Sequence, residues 1–132
     1  MLTRCFLERF GFYFCSYFGH CLIIDGHSFC NDAFGYLDLP DFCIGSDSFH
    51  TDNELIGRVQ EFLQGYGYSV AVNYPYSGAI VPLKHYHENP RVKSIMIEVN
   101  KRLYLEDGTM NKNADFDKIK QVCSLLIEKI RL

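Results

Sequence analysis

Asp25 and His27 lie in the run LIIDGHSFCND (Leu22 to Asp32), two residues apart, so on an extended backbone both side chains leave on the same side. A carboxylate beside an imidazole orients the ring, fixes its tautomer and raises its basicity as a metal ligand. The plainer alternative is a hydrogen-bonded histidine capping a strand, with Gly26 present for a turn. Glu98 breaks the apolar run SIMIEVN, and carboxylates are seldom buried without a partner. A partly desolvated glutamate at a strand's end can serve as a general base toward water activated by a metal. Equally, it can pair with the nearby Lys101 or Arg102.

The stretch NYPYSGAIVPLK (Asn73 to Lys84) brackets a turn between Pro75 and Gly78. It offers the polar groups of Asn73, Tyr76 and Ser77, with Lys84 as a cation after a short extended piece. Such a set suits an anionic substrate through charge-assisted hydrogen bonds, and it also suits an ordinary surface loop. His85 and His87, in KHYHE, share a face if extended and have a spacing that metals can chelate. Plain loop histidines before Pro90 explain the same pattern. His50 stands in a loop that could reach the same rim. Cys30 follows His27 by three residues, which admits a thiol nucleophile, although nothing in the sequence marks that thiol as acidic.

These side chains need elements to hold them. Apolar residues at Leu2, Phe6, Phe10, Phe14 and Phe18 recur every fourth position and predict a helix ended by Gly19. CLIID then reads as a strand buried on both faces, because its apolar run is continuous. Residues 31–50, rich in Asp, Gly, Ser and Pro, predict a long loop with a short strand at DFCIGSD. TDNE predicts a capping box, with Thr51 as N-cap and Glu54 three residues on. Leu55, Ile56, Val59, Phe62 and Leu63 supply the apolar stripe, and Gly65 a left-handed end. YSVAVNYPY and KSIMIEV predict strands, and an amphipathic helix follows over 115–132. This order predicts one domain over 1–132, a layered α/β/α fold with a mostly parallel or mixed central sheet. Ligands of open α/β sheets collect at the carboxyl ends of strands, a rule that would gather Asp25, His27, Asn73 and Glu98 at one rim.

The whole chain has 132 residues, 48% hydrophobic and 22% charged, which is globular composition. Its net charge is −3 and its Lys and Arg are scattered, so nucleic acid is not expected as a partner. There is no apolar run long enough to span a bilayer. The six cysteines include no CxxC pair, and several sit inside apolar runs. Glu8 and Arg9 interrupt the apolar start, so no secretory leader is expected. Together these features favour reduced thiols and a cytoplasmic location. The aromatic segment Phe10, Phe12, Tyr13, Phe14, Tyr17 and Phe18 is an expected sticky surface. Hence a second reading, in which the chain is a non-catalytic module that binds a partner or forms homo-oligomers.

LIIDGHSF, DFCIGSD, NYPYSGAIVP and IMIEVNKRLYLED, in this order, resemble segments of the N-formylglutamate amidohydrolase family. The resemblance runs from about Phe18 to Asp107. It implies an α/β zinc hydrolase of the carboxypeptidase-like superfamily, acting on a small anionic N-formyl or N-acyl amino acid. It further implies zinc as cofactor, His27 as a metal ligand, Asp25 orienting that histidine, and Glu98 activating water. The loop from Asn73 through Ser77 and Gly78, with Lys84, would form part of the substrate pocket. Relatives often carry Gly-Gly and an arginine there, where this chain has Gly78-Ala79 and Lys84. The family's N-terminal SHxG-type segment and the acidic residue after it, which provide its earlier zinc ligands, have no counterpart here. The resemblance is therefore to the C-terminal portion of that domain.

Overall fold

A computed structural model describes residues 19–35 and 38–131. The helix expected over 2–18, and the aromatic surface expected within it, lie outside the described residues.

Strand β1 (Cys21–Phe29) begins where expected but does not stop at Asp25. It runs on through DGHS because its neighbour β4 (Val92–Asn100) is equally long. The two pair in parallel along their whole length, from Cys21 opposite Val92 to Phe29 opposite Asn100. Gly26 therefore serves no turn. Nor is CLIID buried on both faces, since only Cys21 is buried and residues 22–25 are partly exposed. Between β1 and β4 the chain forms a 3₁₀ turn (Asn31–Phe34), β2 (Phe42–Gly45), helix α1 (Asn53–Gly65) and β3 (Val70–Val72). Helix α2 (Phe116–Ile130) closes the chain.

The sheet is mixed, in the order β1-β4-β2-β3. β2 lies antiparallel to β4 and parallel to β3. Alternation along the strands separates two faces. Phe42, Ile44, Ile95 and Ile97, with Leu22, Ile24, Val70, Val72 and Val99, form the face under both helices. Onto it α1 lays Leu55, Val59 and Leu63, and α2 lays Ile119, Val122, Leu126 and Ile130. Each such aliphatic side chain contributes roughly 1.5–3 kcal/mol through burial. The inward residues expected for both helices are thus the ones found. The opposite face carries Asp25, His27, Cys43, Gly45, Ser94, Met96 and Glu98.

The helix caps differ from expectation. Thr51 does not cap α1. Its hydroxyl donates to the Ser94 carbonyl at 2.6 Å and accepts the Asp47 amide at 2.9 Å, tying the preceding loop to β4. Asp52 occupies the N-cap without a side-chain cap bond, and its carboxylate pairs with Lys93 at 2.8 Å. At the other end Gly65 is still helical. The left-handed residue is Gly67 (φ 87°), where bonds from Gly67 to Gln64 and from Tyr68 to Leu63 make a Schellman ending. β3 is also shorter than expected, because Asn73 turns the backbone to φ 55° before Pro75 is reached.

Candidate functional site

His27, Glu98 and Cys43 form one row across three neighbouring strands. Glu98 is the central member, opposite His27 on β1 and opposite Cys43 on β2. Parallel pairing of β1 with β4 brings the first two together, and the antiparallel entry of β2 adds the thiol. Asp25, two residues before His27, reaches the same side of β1. Its carboxylate accepts a hydrogen bond from His27 Nε2 at 2.9 Å. With the Nε2 proton committed to Asp25, Nδ1 is the ring nitrogen left with a lone pair.

The electrostatics follow from burial and charge. Hydrogen bonding to Asp25 raises the His27 pKa above its ordinary value of 6.5, desolvation opposes this, and the charges of Asp25 and Glu98 add to it. Glu98 is only 6% exposed and its Oε2 has no hydrogen-bond partner. Burial raises its pKa above the ordinary 4.5, the Asp25 charge adds to this, and His27 opposes it. A half-exposed imidazole thus stands beside a buried, proton-seeking carboxylate. Such a pair can hold and pass a proton at a polar bond placed over the row. Burial likewise pushes the Cys43 thiol up, against hydrogen bonds with Tyr76 and Tyr74.

Of the loop residues expected at the site, some arrive and others do not. Tyr76 lies against the row, its carbonyl accepting the Cys43 thiol at 3.2 Å and its ring packed edge-on to Phe29 at 6.0 Å. Gly78 follows over the next position of the same face, where its carbonyl meets Gly45. Ser77 is carried between them, exposed. Asn73, by contrast, does not join the carboxyl-end rim. β3 runs with β2 and against β4, so its end is level with the middle of β4. There the Asn73 amide bonds the Ser46 amide and hydroxyl at 2.9 and 2.8 Å. Lys84 sits in the 3₁₀ turn Leu83–His85, which leads through Asn89 into the start of β4. Glu98 lies about 20 Å along the strand from Val92.

His50 and His87 belong to that same far end. His50 is fully buried, with Nδ1 donating to the Val92 carbonyl at 2.7 Å and Nε2 accepting the His87 amide at 2.8 Å. His87 bonds Asp47 at 3.2 Å and stacks on Phe49. Neither approaches the His27 row, so they do not replace missing ligands. Cys30 opens instead into a cavity of about 550 Å³ beyond the carboxyl ends of β1 and β4, which it shares with Asn31, Asn100, Lys101 and Met110. A hydrolytic zinc site uses three protein donors and a water. Among the described residues no group of three His, Cys, Asp or Glu could hold an ion. His27 offers one nitrogen and Asp25 is spent on the ring, so these residues do not form a whole zinc site.

Sequence reasoning did not single out Cys43, Gly45 or Ser94. The pattern held a signal: positions 43 and 45 alternate with the apolar Phe42 and Ile44, and Ser94 precedes Glu98 by two strand periods. Only the pairing of β2 with β4 turns that alternation into a site.

Among the described residues, a mixed sheet with both helices on one face and Asp25, His27 and Glu98 on the other makes a layered α/β fold. The family model for N-formylglutamate amidohydrolase matches residues 14–105. The crystal structure of N-formylglutamate amidohydrolase from Ralstonia eutropha JMP134 superposes with a TM-score of 0.76 at 30% identity. The match covers 88% of this chain and 44% of that one. No curated protein matches. The chain belongs to the N-formylglutamate amidohydrolase family, and it spans less than half the length of that solved relative.

Proposed function

We propose that this chain carries the carboxyl-terminal part of an amidohydrolase site for N-formyl or other N-acyl acidic amino acids. The observation that carries this reading is the His27–Glu98 pairing on adjacent parallel strands, with Asp25 fixing the ring. Glu98 takes a proton from the attacking water and returns it to the leaving amine, a task for which its raised pKa fits it. Asp25 keeps the Nε2 proton of His27 in place and leaves Nδ1 as a donor atom. Ser77 and Gly78 wall the substrate side of the row. His27 would be one ligand of a zinc ion completed by donors outside the described residues. Zinc, when bound, polarises a scissile carbonyl and lowers the pKa of water.

The reading is tested by hydrolysis of N-formylglutamate together with metal analysis of the purified chain. Turnover lost in Glu98→Gln, with zinc content lowered in His27→Ala and retained in Glu98→Gln, is the expected pattern. Turnover that survives both substitutions ends the proposal.

A further inference from the structure

The segment from Tyr76 to Ile80 crosses the site face along β4, in the direction opposite to that strand. It is fixed at three successive same-face positions. Beside Glu98, the Cys43 thiol donates to the Tyr76 carbonyl at 3.2 Å. Beside Met96, Gly45 lets the Gly78 carbonyl sit so close that an added methyl would overlap that oxygen and the Met96 side chain. At Ser94, the hydroxyl donates to the Ile80 carbonyl at 2.6 Å. Ser94 and Cys43 are fully buried, so the donor end of each bond is held in the sheet, while the bonds themselves are part-buried. Two carbonyls of one loop are thus held by side chains and a third is seated in the gap at Gly45, at positions whose spacing equals the strand period.

From this we infer that Cys43 and Ser94 are positioning residues, clamping residues 76–80 as a fixed wall that sets how tightly the acyl amino acid is held. The inference rests on the hydrolase reading and extends it to residues that reading does not use. Neither side chain touches the reacting bond. Each acts by holding the backbone of the loop, so its loss weakens binding and leaves the proton transfer at Glu98 intact. Gly45 belongs to the same device, as the one place where the loop backbone and the strand meet without a side chain between them.

The test uses the full chain and the variants Cys43→Ala, Cys43→Ser and Ser94→Ala, with N-formylglutamate as the probe. Loss of one of these bonds should loosen residues 76–80, their backbone NMR order parameters falling from about 0.85 toward about 0.6. KM should rise about fivefold or more while kcat stays within about twofold of the parent. Cys43→Ser, which keeps a donor, should restore most of both effects. The inference is overturned if kcat falls with KM unchanged, or if the order parameters of 76–80 fall without any change in KM. It is also overturned if those order parameters do not respond. Should the parent chain turn over no N-formylglutamate, the hydrolase reading fails, and the dissociation constant of that compound by calorimetry replaces KM. Weakened binding in Cys43→Ala, rescued in Cys43→Ser, then still supports the clamp, whereas equal or absent binding in all forms ends it.

Discussion

Glu98→Gln should make the metal-free chain more stable at neutral pH while removing its chemistry. The carboxylate is 6% exposed, and one of its oxygens lacks a partner. Burial and the nearby Asp25 charge hold its pKa above 4.5 in the folded chain, and unfolding returns it toward that ordinary value. Between the two values the native state binds more protons than the unfolded one, so stability is fully present below pH 4.5 and is lost as pH rises through the folded value. Glutamine removes the charge and keeps the shape. It still buries an amide, which recovers only part of the loss, so the expected gain above the transition is about 1 kcal/mol. For a domain of this size that raises the melting temperature by about 2–5 °C. Urea unfolding in chelator at pH 4 and pH 8 reads both limits. The variant should exceed the parent at pH 8, and the advantage should fade toward pH 4. A variant less stable than the parent at pH 8, or an advantage that grows toward acid, refutes the account of a desolvated, unpaired carboxylate.

Asp25→Asn removes the main cause of the raised His27 pKa, so the imidazole midpoint measured by NMR should fall toward 6.5. Since a raised histidine contributes stability below its unfolded value and loses it as pH rises through the folded one, the variant should also show a flatter stability profile across that window. Gly45→Ala forces a methyl into the Gly78 carbonyl and Met96, and should cost about 1–3 kcal/mol in thermal or urea unfolding. Thr51→Val keeps the side-chain shape but leaves the Ser94 carbonyl and the Asp47 amide without the hydroxyl, for a loss of about 1–3 kcal/mol. If Thr51 acted instead as a helix cap, Asp52→Ala would be the milder of the two changes for another reason, and the helix signal of Thr51→Val by circular dichroism would fall. It should stay unchanged.

What the sequence made legible divides along the range of the interactions. The apolar stripes Leu55–Val59–Leu63 and Ile119–Val122–Leu126–Ile130 are set by a helical period within one segment, and they are the faces found buried. The common side of Asp25 and His27 is equally local, a matter of strand alternation, and the 2.9 Å bond between them realises it. The Thr51 capping box is local as well, yet it yields to other partners: the hydroxyl oxygen that would accept a first-turn amide accepts the Asp47 amide instead, and its proton goes to the Ser94 carbonyl. No helix among the described residues is long and apolar enough to cross a membrane.

The rim rule failed at Asn73 because of strand direction. That rule assumes strands pointing one way, and β2 and β3 point against β4. The reversal takes the end of β3 away from Glu98 and commits Asn73 to Ser46. β3 already points toward the start of β4, the end reached through the 3₁₀ turn at Leu83, yet the chain leaving it first doubles back to Cys43, which stands opposite Ala71. Tyr76, Gly78 and Ile80 then pass Cys43, Gly45 and Ser94 in turn, which supply a donor, a gap and a donor. That doubling back, a tertiary course that no local pattern announces, is what lays Ser77 and Gly78 across the site.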